Sequence, residues 1–270
     1  MPVFIRDEKR YWDRKSGIEK RNEFLIGLIC LVITAIALRY IIGQTIWEFV
    51  ADAPRQIGDF LSRMFPPDMR YLNRVWPSLW DTFNISVFGT AAAVILSVPL
   101  AILAAKNTSP HGIVRAISLC IIVTSRAVNS MIWAMILVQL VGPGMFAGVL
   151  AIAVRSIGMI SKLFYEAIEE INPEPIEAIK ATGASGPQVF LYGYIPQLLP
   201  TFVGVAVYRW ENNIRESAVI GMIGGGGLGF VLNSAINRLA WNQVLVVLII
   251  ILGTVTVSEW VSNRVRTAIY

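Results

Sequence analysis

Arg126, Arg155 and the run Tyr208 to Glu216 set ionised side chains inside stretches that are otherwise apolar. A charge at membrane depth is costly and persists where it faces protein or water, so each is a candidate for function. A guanidinium presents a fork of donors that matches phosphate-like oxygens, and neither Arg126 nor Arg155 has an opposite charge within reach in its own stretch. A path for a small anion is one chemistry that suits them; a salt-bridge network that only holds helices together is the other. On a continuous helix Arg126 shares a face with Asn129, Ser130 and Trp133, and Arg155 with Met159 and Lys162. In the third group Glu211 and Arg215 form an i,i+4 pair in the favourable order, and Arg209 shares its face with Asn212, Asn213 and Glu216, so this group can neutralise itself. The pathway candidates are Arg126, Asn129, Arg155, Arg209, Glu211, Asn213 and Arg215.

Composition decides what solvent surrounds these residues. Hydrophobic residues make up 55% of the chain and charged residues 15%, with a mean hydropathy of +0.61, values that belong to a membrane protein. The net charge of +5 lies largely in the ends and short loops, where phospholipid headgroups account for it. No basic patch with interleaved aromatics points to nucleic acid. Cys30 and Cys120 lie in apolar runs and His111 is the sole histidine, so neither a disulfide framework nor a metal site is expected. No nucleophile with its base is apparent either, which argues against an enzyme and leaves the catalytic set empty.

About six apolar runs are long enough to cross roughly 30 Å of hydrocarbon, at approximately 24–43, 82–105, 115–140, 145–166, 196–218 and 241–261. The first is too long for a cleavable signal and reads as an anchor. Residues 1–23 carry Arg6, Lys9, Arg10, Arg14, Lys15, Lys20 and Arg21, which the positive-inside rule keeps in the cytoplasm; six crossings return the C-terminus there. The expected organisation is a cytoplasmic segment 1–23, an anchor helix 24–43, an external segment 44–81 and a core 82–262 with a cytoplasmic loop at 167–195. Within the external segment, Ile46, Phe49, Val50, Ile57, Phe60, Leu61 and Met64 recur at helical intervals, the pattern of an amphipathic interfacial helix.

Residues 221–229, GMIGGGGLG, contain a GxGxxG match at Gly224, Gly226 and Gly229, but no strand precedes it and no acidic residue is placed for a ribose. Consecutive glycines weaken a helix by about 1 kcal/mol each relative to alanine, so a bend or re-entrant element is expected. Gly224, Gly225, Gly226, Gly227 and Gly229 are gate candidates; tight packing alone, with small residues at 221, 225 and 229, is the alternative.

Residues 177–200, EAIKATGASGPQVFLYGYIPQLLP, read as two short helices around Gly183 between apolar runs. Asn172 can cap a helix that starts at Pro173, Gly183 suits the left-handed position after its end, Ser185 can cap the next, and Pro196 breaks or kinks the chain where apolar character returns. The spacing resembles the cytoplasmic EAA loop of ABC-transporter permeases: Glu177, Ala178, Gly183 and Pro196 fall on register, while Ile179, Gly193 and Ile195 depart from the usual Ala, Ile and Leu.

Further stretches sharpen that resemblance. Arg126 to Asn129, Val141 to Leu150, Lys162 to Glu170, Tyr208 to Arg215 and Gly221 to Gly229 together look like the permease subunit of phosphonate-family ABC importers, which include phosphite carriers. The resemblance implies an all-α type I importer permease that forms a homodimer in the cytoplasmic membrane. It further implies an external substrate-binding protein, and two copies of a separate ATPase that hold the ATP and Mg. The glycine-rich segment would lie by the path, and Glu177, Ala178, Gly183 and Pro196 would couple to the ATPase. The family commonly has His where Arg155 stands, which leaves the oxyanion open between phosphonate, phosphite and a related species. A permease for another small solute, a secondary transporter and a channel are the alternatives. The chain has no GxxxxGK[ST], so ATP would be hydrolysed by another polypeptide.

Overall fold

Long apolar runs broken by short polar joints fold as helices in the computed structural model, which describes residues 3–6, 9–12, 15 and 17–269. The chain divides between Asp59 and Phe60 into two compact units. In the first, β1 (Val3–Arg6) and β2 (Lys9–Trp12) pair antiparallel, with Val3 opposite Trp12. No strand was expected in this polar stretch, yet β-branched and aromatic residues give VFIR and KRYW the composition of strands. α1 (Gly17–Gln44) follows, exposed from Ile18 onward and apolar on all sides, as suits a helix surrounded by lipid. After a two-residue joint comes α2 (Trp47–Met64), which belongs to this unit as far as Asp59 and carries Phe49, Val50 and Ile57 there as exposed apolar side chains among charges.

The second unit is a helical bundle. α3 (Leu72–Ala104), α4 (Gly112–Ala127), α5 (Ser130–Val141) and α6 (Met145–Glu169) lead into the short α7 (Pro173–Ala181) and α8 (Gly186–Val189). A π-helical turn at Phe190–Tyr194 opens α9 (Ile195–Ile220), a second at Gly221–Gly225 closes it, and α10 (Gly227–Asn237) and α11 (Trp241–Ile269) complete the chain. α3 and α6 lie side by side in close contact: Gly89 leaves room for Ile152, and Ser97 Oγ donates to the Ile157 carbonyl at 3.1 Å. Small residues at such a contact let backbones approach, and dispersion over the shared length then holds them. At one end of the bundle Phe164 stacks on Phe202 at 3.8 Å over Ala93, Ala101 and Leu198; at the other, Val75, Leu228, Val231 and Val247 form a separate core.

The third apolar run, expected as one helix over 115–140, is broken. α4 and α5 meet at a bend of 94°, because Val128 and Asn129 are both extended and the Asn129 side chain caps α5 by accepting from the Met131 N–H at 3.0 Å. The pair still crosses the bundle once. In the first turn of α4, Arg115 Nη2 lies 4.0 Å from Glu169, the last residue of α6. α5, for its part, joins the start of α6 through three residues, so α4 and α5 together connect opposite ends of the long helix α6. Five helices are long and apolar enough to span a membrane, and counting the bent pair as one span brings the number to six.

Candidate functional site

Three clusters and the polar loop hold the candidate residues. At the break between α4 and α5, Arg155 Nη1 donates to the Arg126 carbonyl at 2.7 Å and to the Val128 carbonyl at 3.3 Å. The absence of a nearby charge therefore does not leave Arg155 without a partner: it caps the end of α4, where carbonyls would otherwise be orphaned at membrane depth. The break also ends the expected common helical face, since Arg126 belongs to α4, Asn129 is the cap of α5, and Ser130 and Trp133 belong to α5. Arg126 and Arg155 are both half-buried, and among the described residues neither has a carboxylate within 4.0 Å. The Arg155 guanidinium thus sits on the joint with no acid to balance it, while the Arg126 side chain leaves the last turn of α4 with its Cγ beside Gly158 of α6. The sequence signal for the joint was Asn129-Ser130, a strong helix start inside an apolar run.

The second cluster is a buried polar chain across α3, α6 and α9. Arg209 Nε donates to Ser156 Oγ at 3.0 Å and its Nη2 to Glu216 at 3.1 Å. Ser156 donates to Asn213 Oδ1 at 3.1 Å, and Asn213 Nδ2 donates to Thr90 Oγ1 at 2.8 Å. Arg209, Glu211 and Asn213 are all buried, so the expected self-neutralisation of the α9 group holds, with a difference: its partners include Ser156 and Thr90, which lie 53 and 123 residues away from their bonding partners and carry no sequence signal. Hydrogen bonds to a charged group contribute about 1.5–3 kcal/mol each. Glu211 also pairs with Arg215 one turn on, as its spacing predicts, and Arg266 of α11 approaches its other oxygen at 3.6 Å.

The third cluster is the glycine element. Gly224, Gly226 and Gly227 have φ of 111°, 84° and 71°, conformations open to glycine, and they turn the chain from α9 into α10. The freed backbone is satisfied within the protein: the Gly144 N–H donates to the Gly224 carbonyl at 2.8 Å, and the Leu228 N–H to Thr82 Oγ1 at 2.7 Å. A Cβ on Gly148 would come 2.5 Å from the Gly225 carbonyl oxygen, and one on Gly229 would collide with the carbonyl oxygen of Ala218. The small residues at 221, 225 and 229 do pack tightly, but across the bend rather than along one helix, since Gly221 lies against Gly226 and Gly229.

The polar loop is built as its punctuation predicts. Asn172 Oδ1 accepts from the Glu174 N–H at 3.1 Å, and Pro173 opens α7. Gly183 follows the end of that helix at φ 80°, its N–H bonded to the Lys180 carbonyl at 3.0 Å. Ser185 and Gln188 then form a capping box on α8. Glu177 and Ala178 are exposed, whereas Ile176 and Val189 turn inward. The chain does not break at Pro196, which sits in the first turn of α9; the irregularity falls just before it, in the π turn. Two departures from the familiar loop pattern answer each other here: the place for a Cβ on Gly193 is 3.4 Å from Ile176 and 3.5 Å from Ile179 Cδ1, so the larger Ile179 packs where the smaller Gly193 leaves space.

Residues 97–268, most of this bundle with its polar loop, match the family described as the inner membrane component of binding-protein-dependent transport systems. The chain belongs to that family. The permease is 34% identical to the putative phosphite transport system permease protein HtxC of Stutzerimonas stutzeri over 253 residues, 94% of this chain and 89% of that one. It is 40% identical over 211 residues to the phosphite transport system permease protein PtxC of the same organism, covering 78% of this chain and 76% of the relative. Its fold matches a permease chain of the MetNI methionine ABC transporter in an inward-facing conformation, with a TM-score of 0.65 at 20% identity over 75% of this chain and 99% of that one. The protein is thus a multi-pass inner-membrane permease of a type I ABC importer, a transport component rather than an enzyme, which works with a binding protein and an ATPase.

Proposed function

We propose that this permease passes phosphonate, phosphite or a related small phosphorus oxyanion into the cytoplasm, as one half of a homodimer driven by ATP and Mg in a separate pair of ATPase chains. The observation that carries the reading is the joint between α4 and α5, where the Arg155 guanidinium is seated, Arg126 occupies the last turn of α4, and among the described residues neither has a carboxylate to balance it. The two Stutzerimonas stutzeri relatives, both named for phosphite transport, support the choice of anion. Arg126, Asn129 and Arg155 line the path from the joint. Arg209, Glu211, Asn213 and Arg215 set the potential of α9 beside it, and the glycine element from Gly224 to Gly229 closes it at the far end. An ordinary salt-bridge role for the two arginines lacks the acids it needs.

Uptake of labelled phosphite and phosphonate tests this. Arg126→Lys and Arg155→Lys are expected to keep partial uptake, because lysine retains the charge but loses the fork of donors. Arg126→Ala and Arg155→Ala are expected to lose it with the complex still assembled, Arg155→Ala with the lower yield because it also uncaps α4. Normal uptake in both alanine variants would remove the arginines from the path.

We further propose that both termini and the loop 167–195 are cytoplasmic, a reading supported by the basic N-terminal segment together with a count of six crossings. In intact cells a cysteine at Ser185 should resist an impermeant thiol reagent while one at Asp59 reacts. Labelling at position 185 from outside would reverse the assignment.

A further inference from the structure

The buried carboxylate of Glu211 is shared by two guanidiniums from different helices. Arg215 is bonded to one oxygen, and Arg266 Nη2 lies 3.6 Å from the other, which accepts no hydrogen bond. The three side chains therefore sum to one unbalanced positive charge. The acid is 6% exposed, while Arg215 and Arg266 are 42% and 35% exposed, so the surplus charge faces outward. Around it stand neutral polar groups: Asn212 Oδ1 accepts from Arg215 at 3.3 Å, Asn263 Oδ1 accepts from Arg266 at 2.9 Å, and the Arg266 guanidinium lies over the Tyr208 ring at 5.8 Å.

Position decides what such a surface can face. Tyr208, Asn212 and Arg215 recur at i, i+4 and i+7, one stripe of α9, and all three retain exposure. Glu211 lies two residues from both Arg209 and Asn213, whose bonds reach Ser156, about 16 Å along α6 from Met145. A stripe with Asn and Arg at that depth is unsuited to hydrocarbon, so it faces water or protein. Arg266 joins this stripe from the last turns of α11, through a contact 55 residues distant in sequence from Glu211.

We propose that Arg215 and Arg266 form an oxyanion subsite at the junction of α9 with the end of α11, separate from the α4–α5 joint, that binds a phosphate-type group. Each guanidinium keeps donors free after its contact with Glu211 and its neighbouring amide, and a tetrahedral oxyanion between them completes the charge balance. That group is either the transported anion, which rests on the transport reading above, or the headgroup of an anionic phospholipid.

The test uses the assembled permease–ATPase complex in nanodiscs, with phosphite as the probe. Its proton-coupled phosphorus doublet is distinct from lipid phosphodiesters, so line broadening reports binding in phosphatidylcholine discs. Phosphatidylglycerol retained by the complex from mixed discs is counted by mass spectrometry. Arg266→Gln should weaken one of the two at least about tenfold, and Arg266→Lys by less than about threefold, since lysine keeps the charge. Glu211→Gln raises the local charge from one to two and should tighten the same ligand. Loss of phosphite broadening identifies the transported anion, and loss of retained phosphatidylglycerol the lipid. If the glutamine variant at 266 binds both as the wild type does, or if Glu211→Gln gives no tightening in assembled complex, the subsite does not exist. Phosphite uptake by the wild type decides the transport reading independently.

Discussion

Glu177→Lys and Gly183→Leu should each cut uptake to below about one tenth of the wild-type rate while the permease remains inserted and associated with its ATPase. Both positions are exposed, so neither change opens the core. Gly183 stands at φ 80°, where a residue with a Cβ is disfavoured by about 1–2 kcal/mol. Leucine there should unseat the turn between α7 and α8 and so displace α7, the surface we propose meets the ATPase. Lysine at 177 reverses a charge on that surface without altering the turn. The measurement is ATPase activity stimulated by loaded binding protein in the purified complex, with complex yield as the control. Equal stimulation in both variants would mean that α7 is not the docking surface.

Gly229→Leu and Gly148→Val should prevent assembly altogether. Overpacking of a core commonly costs about 1–3 kcal/mol when side chains can shift, but here the atoms met are backbone carbonyl oxygens, of Ala218 for Gly229 and of Gly225 for Gly148. Rotamer changes cannot relieve such a contact, so the cost lies at or above the upper end of that range. Gly253→Ala is the matched control: nothing lies within 4 Å of its added Cβ, and alanine is the better helix former. Yield of monodisperse permease and its thermal midpoint separate the three variants. A Gly229→Leu protein as stable as the wild type would show that the glycine element does not pack as described.

What was legible in the sequence and what was not divides along physical lines. Caps and turns are local, so Asn172, Gly183 and Ser185 announced the loop, and the i,i+4 spacing announced the Glu211–Arg215 pair. The apolar runs announced the crossings by their length alone. The bend at Val128–Asn129 was hidden because an apolar run carries no sign of its direction, although Asn129-Ser130 held the signal of a helix start. The partners of the intramembrane charges were hidden for a different reason. Ser156 and Thr90 are ordinary residues in helix interiors, and Arg266 reads as a terminal basic residue at the membrane surface; each gains its role through contacts between helices far apart in sequence. The short N-terminal ribbon was missed because its charges outweighed its β-branched and aromatic residues.

The exchange of volume between Ile179 and Gly193 bears on how loops of this kind can be transplanted. A graft that carries residues 172–185 into a permease with a bulky residue at the position of Gly193 would set two large side chains in the space of one, while the reverse graft would leave a void beneath α7. Either chimera would display the donor's outer surface on a displaced helix. Its failure to couple would then report a fault of fit inside the recipient rather than a mismatch with the ATPase. Exchanges that move both positions together are free of that ambiguity, and so make the cleaner instrument for asking which permeases accept which motors.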